Sequence, residues 1–196
     1  MRTRDENKVE AILQKALEMV VKEGFDGLSM QKLAKAAGVS PATIYIYFKD
    51  KEDMLLQLHK RECDRYFAYI LEGFDPEMDF ATGLAVQWKR RASYVIEHPD
   101  RGHFMENFAF TPLLPKSMKL RDPRFSSAMQ RFVHKAIENK ELVRMPFEVY
   151  WAVAFAPLYN LVRYHKAGMN LSGEKFELTD EMLMQTLSLV LKALKP

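Results

Sequence analysis

The sequence predicts an all-α protein, an N-terminal three-helix head followed by a larger helical bundle. Three observations carry this reading. Apolar residues recur at three- and four-residue spacing through most of the 196 residues. No stretch alternates apolar and polar residues as a strand would, and there are only 8 glycines. Proline-containing breaks, "DPEMD", "TPLLPKS", "RDPRF" and "RMPF", separate the helical patterns.

The first helix carries Val9, Ile12, Leu13, Ala16, Leu17 and Val20 on one face and stops at Gly24. Ser29 is placed to cap a second, "MQKLAKAA", whose buried side is Met30, Leu33, Ala34 and Ala37. Gly38 opens a tight turn. Ser40 then caps a third helix, with Pro41 at the first helical position, where a missing N–H costs nothing. Val39 and Ile44 have the spacing of a hydrophobic staple, and Ile44 and Phe48 share one face. Asp50 starts a long connecting helix with Met54, Leu55, Leu58, Phe67, Ile70, Leu71 and Phe74 on its apolar side. Further helices are expected over 80–98, 101–110, 125–139, 147–167 and 179–194, with a kink at Pro157. The chain accordingly divides at 1–52, the head with the start of the connecting helix, and 53–196, the body.

Composition narrows the function classes. A single cysteine, Cys63, excludes an internal disulfide framework and fits a reducing compartment. The N-terminus lacks the uninterrupted apolar run of a leader. The longest apolar run, "WAVAFAPLYNLV", is too short to span a bilayer. A soluble cytoplasmic protein with no membrane partner is expected. The formal net charge is only +3, but between Leu28 and Lys51 four lysines face one aspartate. Such a local excess suits phosphate binding better than a weakly basic whole.

Two short helices joined by a glycine turn, the second presenting small and polar residues, form a helix-turn-helix. In that geometry the second helix enters the major groove of DNA. Pro41 and Ala42 are small enough for close backbone approach. Thr43 offers a hydroxyl and a methyl to a base or phosphate. Tyr45 and Tyr47 carry hydroxyls on rigid rings, suited to phosphate oxygens, with packing inside the head as the alternative. Ser29 and Ser40 cap helices whether or not they touch DNA, Gln31 supplies the nearest amide, and Lys51 adds a cation at a helix start.

The stretch "LSMQKLAKAAGVSPATIYIYFKDKEDML" resembles the DNA-binding head of the TetR/AcrR family of bacterial repressors. The likeness covers about the first 60 residues. It implies a transcriptional regulator that is a homodimer, with a helical effector-binding and dimerisation body, and not an enzyme. It also implies a small-molecule effector that releases the dimer from a palindromic operator of double-stranded DNA. It implies DNA contacts at Ser29, Gln31, Ser40, Pro41, Ala42, Thr43, Tyr45, Tyr47 and Lys51. The third helix departs from the pattern by lacking Arg, Asn or Gln, so direct base hydrogen bonds are expected to be few, with more weight on thymine methyls and DNA shape.

In the body, Trp88, Phe104, Phe108, Trp151, Phe155 and Tyr159 either line an effector pocket or simply fill the core. His103 and Glu106 lie three apart, but no second ligand pair accompanies them, and neither metal nor cofactor is expected. The wide apolar faces of the last two helices would form a four-helix bundle with a second chain, or else be buried within one. The rival reading is a helical enzyme or small-molecule binder whose head only packs. It requires a catalytic constellation, and no nucleophile elbow, phosphate loop or Cys–His pairing is found.

Overall fold

The structure, a computed structural model, describes residues 6–196; the first five residues of the expected head lie outside the described residues. Helices follow one another as α1 (Glu6–Gly27), α2 (Met30–Ala36), α3 (Pro41–Tyr47), α4 (Lys51–Leu71), α5 (Phe80–Glu97), α6 (Pro99–Phe108), α7 (Leu114–Met118), α8 (Pro123–Glu138), α9 (Phe147–Ala167) and α10 (Asp180–Leu194). The all-α expectation holds: the extended pairing among the described residues is a lone antiparallel bridge, Met169 to Lys175, between α9 and α10. The sequence read "TPLLPKS" only as a break. It forms α7, because Pro115 falls in the first turn, where its missing N–H is not needed.

Contacts group the residues into two compact units. The first holds the chain through Arg65 together with residues 100–121, and the second holds residues 66–99 and 122–196. α6 and α7, far along the chain from the head helices, therefore pack with them.

In the first unit α1 buries Ile12, Leu13, Ala16, Leu17 and Val20, and breaks at Gly24, whose φ of 74° is a left-handed value that glycine adopts without strain. Leu33, Ile44, Phe48, Met54 and Leu58 join this cluster, as do Phe104 and Phe108 from α6. An ionic network centred on a buried carboxylate ties α1, α4 and α6. The fully buried Glu62 meets Arg61 at 2.7 Å, Arg65 at 3.2 Å and Arg101 at 3.0 Å, and Glu10 completes it by pairing with Arg61 and Arg65. Three guanidiniums on one carboxylate satisfy a charge that burial would otherwise make costly.

In the second unit α5, α8, α9 and α10 surround Leu84, Trp88, Phe132, Tyr150, Phe155, Leu158 and Leu187. Gly83 lets α5 and α8 approach closely: a Cβ there would lie 2.4 Å from the Phe132 ring. Pro157 lies inside α9, which continues through it, and the indole N–H of Trp88 donates to the Ala154 carbonyl at 2.9 Å.

His59 sits in the first unit with 1% of its surface exposed. Its ring stacks on Phe108 at 3.8 Å, and Nδ1 meets the Ser117 hydroxyl at 2.5 Å. Burial, and then the charge of Arg121, hold it neutral, its pKa pushed down from 6.5 to about 4. Below pH 6.5 the unfolded chain takes up a proton that the folded chain refuses, so stability present above that pH is lost on acidification toward pH 4. Urea unfolding should show a loss of at most about 3 kcal/mol across this window, and His59→Phe should flatten the profile.

Candidate nucleic-acid interface

The two head helices are set by their caps. The Ser29 hydroxyl accepts the Lys32 N–H at 3.2 Å at the start of α2, and the Ser40 hydroxyl accepts the Thr43 N–H at 3.2 Å at the start of α3. Between them Gly38, at φ 66°, turns the chain. α3 has seven residues and no independent stability. Ile44 and Phe48 are both fully buried, while Val39 packs on the same cluster from outside the helix, as the staple spacing anticipated.

With Ile44 and Phe48 inward, the opposite side of α3 faces solvent. Ser40, Pro41, Ala42, Tyr45 and Ile46 are exposed, as are Ser29 and Gln31 on α2. Tyr45 is 55% and Ile46 67% exposed, large values for apolar-bodied side chains. Thr43, Tyr47 and Lys51 are half-buried. The Thr43 hydroxyl meets that of Ser40 at 2.9 Å, so the two form one polar point at the tip of α3. The phenols differ: the Tyr47 ring rests against the core cluster, beside Phe48 at 6.5 Å, whereas Tyr45 projects.

The local charge is smaller than the lysines suggest. Lys32 pairs with Glu23 at 3.2 Å and donates to the Gly27 carbonyl, so it is tied to α1. Lys35, Lys49 and Lys51 form no ion pair among the described residues. At the start of α4 a reciprocal cap operates: Asp50 accepts the Asp53 N–H at 2.8 Å, and Asp53 accepts the Lys49 N–H at 2.8 Å. Lys51 stands at the head of that turn.

The six aromatic pocket candidates fall in two different units. Phe104 and Phe108 lie in the first unit's core, and Trp88, Trp151, Phe155 and Tyr159 belong to the second. Three of these four surround Arg91, a residue that sequence reasoning passed over: its guanidinium carbon lies 4.5 Å from the Phe155 ring centre and 5.1 Å from that of Trp151, and Nη1 donates to the Tyr159 hydroxyl at 3.0 Å. The available signal was an arginine at helical spacing from Leu84, Gln87 and Trp88 on an apolar face. Cys63 is fully buried, and burial pushes its thiol up to about 11, so it is an unreactive core group.

The model of bacterial regulatory proteins of the tetR family matches residues 12–58. A TetR family transcription regulator from Marinobacter aquaeolei VT8 is 30% identical, with a TM-score of 0.85 over 100% of this chain and 99% of that one. A TetR-family transcriptional regulator from Haemophilus influenzae Rd shares the fold at 23% identity, with a TM-score of 0.80 over the whole of both chains. An uncharacterised HTH-type transcriptional regulator of Haemophilus influenzae is 33% identical over 99 residues, 50% of this chain and 53% of that protein, so the chain spans about half the length of this curated relative.

Ile44→Ala should cost the head about 2–5 kcal/mol, the range for a large-to-small change at a fully buried site. Thermal unfolding measures this, and the loss should exceed that of Ile46→Ala on the exposed side.

Proposed function

The chain belongs to the TetR family of bacterial regulatory proteins and is a transcriptional regulator, and from that premise we propose that it is a homodimeric repressor released from a palindromic operator by a small-molecule effector. The observation that carries the proposal is that α3 buries Ile44, with its C-cap Phe48 buried beside it, and turns Pro41, Ala42, Tyr45 and Ile46 to solvent. Two such helices related by a two-fold axis would enter successive major grooves about 34 Å apart or a multiple of it. Residues 1–52 are then the DNA-binding domain and 53–196 the effector-binding and dimerisation domain, working in the cytoplasm. The relatives are transcriptional regulators rather than enzymes.

Within the interface, Thr43 with Ser40 presents the polar tip, and Ala42 and Ile46 offer apolar contact to thymine methyls. Ser29, Gln31, Tyr45 and Tyr47 hold the duplex backbone from either side, and Lys51 supplies charge at the start of α4. Without Arg, Asn or Gln in α3, sequence preference rests on methyl contacts and duplex shape.

Dimerisation falls to α9 and α10. Val149, Ala152 and Ala156 are exposed at helical spacing on α9, and Met182, Leu189 and Ala193 on α10. An exposed apolar stripe across two packed helices, with small residues along one of them, suits a two-fold four-helix bundle.

Two measurements test the reading. Lys51→Ala should weaken binding to the inverted repeat nearest the gene for all sequence variants alike, and should lower the slope of log affinity against log salt by about 1. An unchanged slope would remove Lys51 from the interface. Leu189→Lys, at a position 60% exposed, should turn a dimer into a folded monomer in sedimentation and abolish tight operator binding. Persistence of the dimer would move the interface elsewhere.

A further inference from the structure

Arg91 is a buried charge of the second unit that no ion pair among the described residues balances. It is 1% exposed, on the apolar face of α5. Nη1 donates to the hydroxyls of Tyr66 at 2.7 Å and Tyr159 at 3.0 Å, and Nη2 to the Gln87 side-chain oxygen at 3.1 Å. Every one of these acceptors is neutral. No ion pair among the described residues includes Arg91, and its Nε–H has no hydrogen-bond partner. Contrast Glu62, a buried charge of the first unit, which three arginines neutralise. Aromatic faces and hydroxyl dipoles offset part of the cost of burying a cation, but a buried charge with no counter-ion remains unfavourable.

A second, independent group points the same way. The Tyr150 hydroxyl is buried with no hydrogen-bond partner, on a ring 6.3 Å from that of Phe155. Burial pushes its phenol up, while the charge of Arg91 pulls the other way, so the two groups sense each other. One aromatic environment thus holds a cation lacking a counter-ion and two donors, Arg91 Nε–H and Tyr150 O–H, lacking acceptors. Native cores leave few such groups, and each calls for a reason.

We propose that the second unit binds a monocarboxylate with an apolar body, its carboxylate paired with Arg91; this specifies the effector of the regulator proposed above and rests on that reading. The carboxylate brings the missing charge and acceptors, and the guanidinium fork matches its two oxygens. Phe155, Trp151 and Phe125 take the apolar body. A cation would be repelled, and a neutral ligand would leave the charge unbalanced. Entry past Tyr159 fits this reading, since that residue is more than a third exposed while its hydroxyl sits on Arg91. The incoming oxygen takes that hydroxyl's place.

The test titrates the full-length protein with octanoate and phenylpropanoate, each beside the alcohol of the same skeleton, octanol and phenylpropanol. Calorimetry and tryptophan fluorescence give the affinities; the chain has 2 tryptophans, and Trp151 lies on the guanidinium. Each acid that binds should do so roughly tenfold or more tightly than its alcohol, the scale of a charge-assisted hydrogen bond. Arg91→Met should abolish that preference and keep or raise the melting temperature, because an apolar side chain of similar volume removes an uncompensated charge. Arg91→Lys, which keeps the charge without the fork, should retain the preference at lower affinity. Tyr150→Phe should leave the fold intact and weaken acid binding several-fold. If no acid is preferred over its alcohol, the proposal is overturned, whatever Arg91→Met does to stability. Acid binding that depends on Arg91 but leaves operator affinity unchanged would support the site and contradict effector release.

Discussion

The inward face of α3 is the constraint on which the rest depends. Seven residues cannot hold a helix in water, so its orientation is borrowed from the cluster that Ile44 and Phe48 enter. Fully burying two such side chains contributes about 1.5–3 kcal/mol each, far more than the intrinsic preference of the segment. Once Ile44 points inward and the extended C-cap Phe48 anchors the helix end, helical geometry turns Ala42, Tyr45 and Ile46 to solvent. The chemistry that α3 offers to solvent is thus set by packing on its opposite side.

Local signals were legible, and long-range ones were not. Ser29 and Ser40 each accept an N–H three residues on, so the sequence announces the helix starts they cap; Asp79 and Thr179 cap α5 and α10 in the same way, but went unread as caps. Gly24 and Gly38 announce stops for the same local reason. The grouping of α6 with the head was hidden, because it depends on Phe104 and Phe108 finding partners on α1 and α4, about fifty and more residues earlier in the chain. The same holds for Lys32: its neighbours in sequence made it a free cation, and a turn of backbone brought Glu23 to it. For the aromatic residues of the body, composition gave the types but not the company. Arg91 went unread because an arginine on an apolar stripe is indistinguishable, from one sequence, from an arginine at its edge.

The two proposals for the second unit meet at Tyr159. Its ring lies on the α9 face assigned to subunit pairing, and its hydroxyl lies on Arg91. A ligand that takes the hydroxyl's place acts on that face directly. A coupling of this kind is limited by how differently the ligand binds the two arrangements, typically 1–3 kcal/mol in magnitude. A buried Arg91 with no counter-ion among the described residues leaves room for such a difference.

The charges of the first unit work in two media. Lysines at a duplex surface act through water, where dissolved ions dilute them within about 10 Å at 0.1 M ionic strength. Glu62 is enclosed beneath its three partly exposed arginines, and mobile ions reach that carboxylate poorly. Brine therefore loosens the grip on DNA long before it loosens the head itself. Detachment and denaturation are separate events, and a regulator washed off its site leaves as an intact, reusable reader.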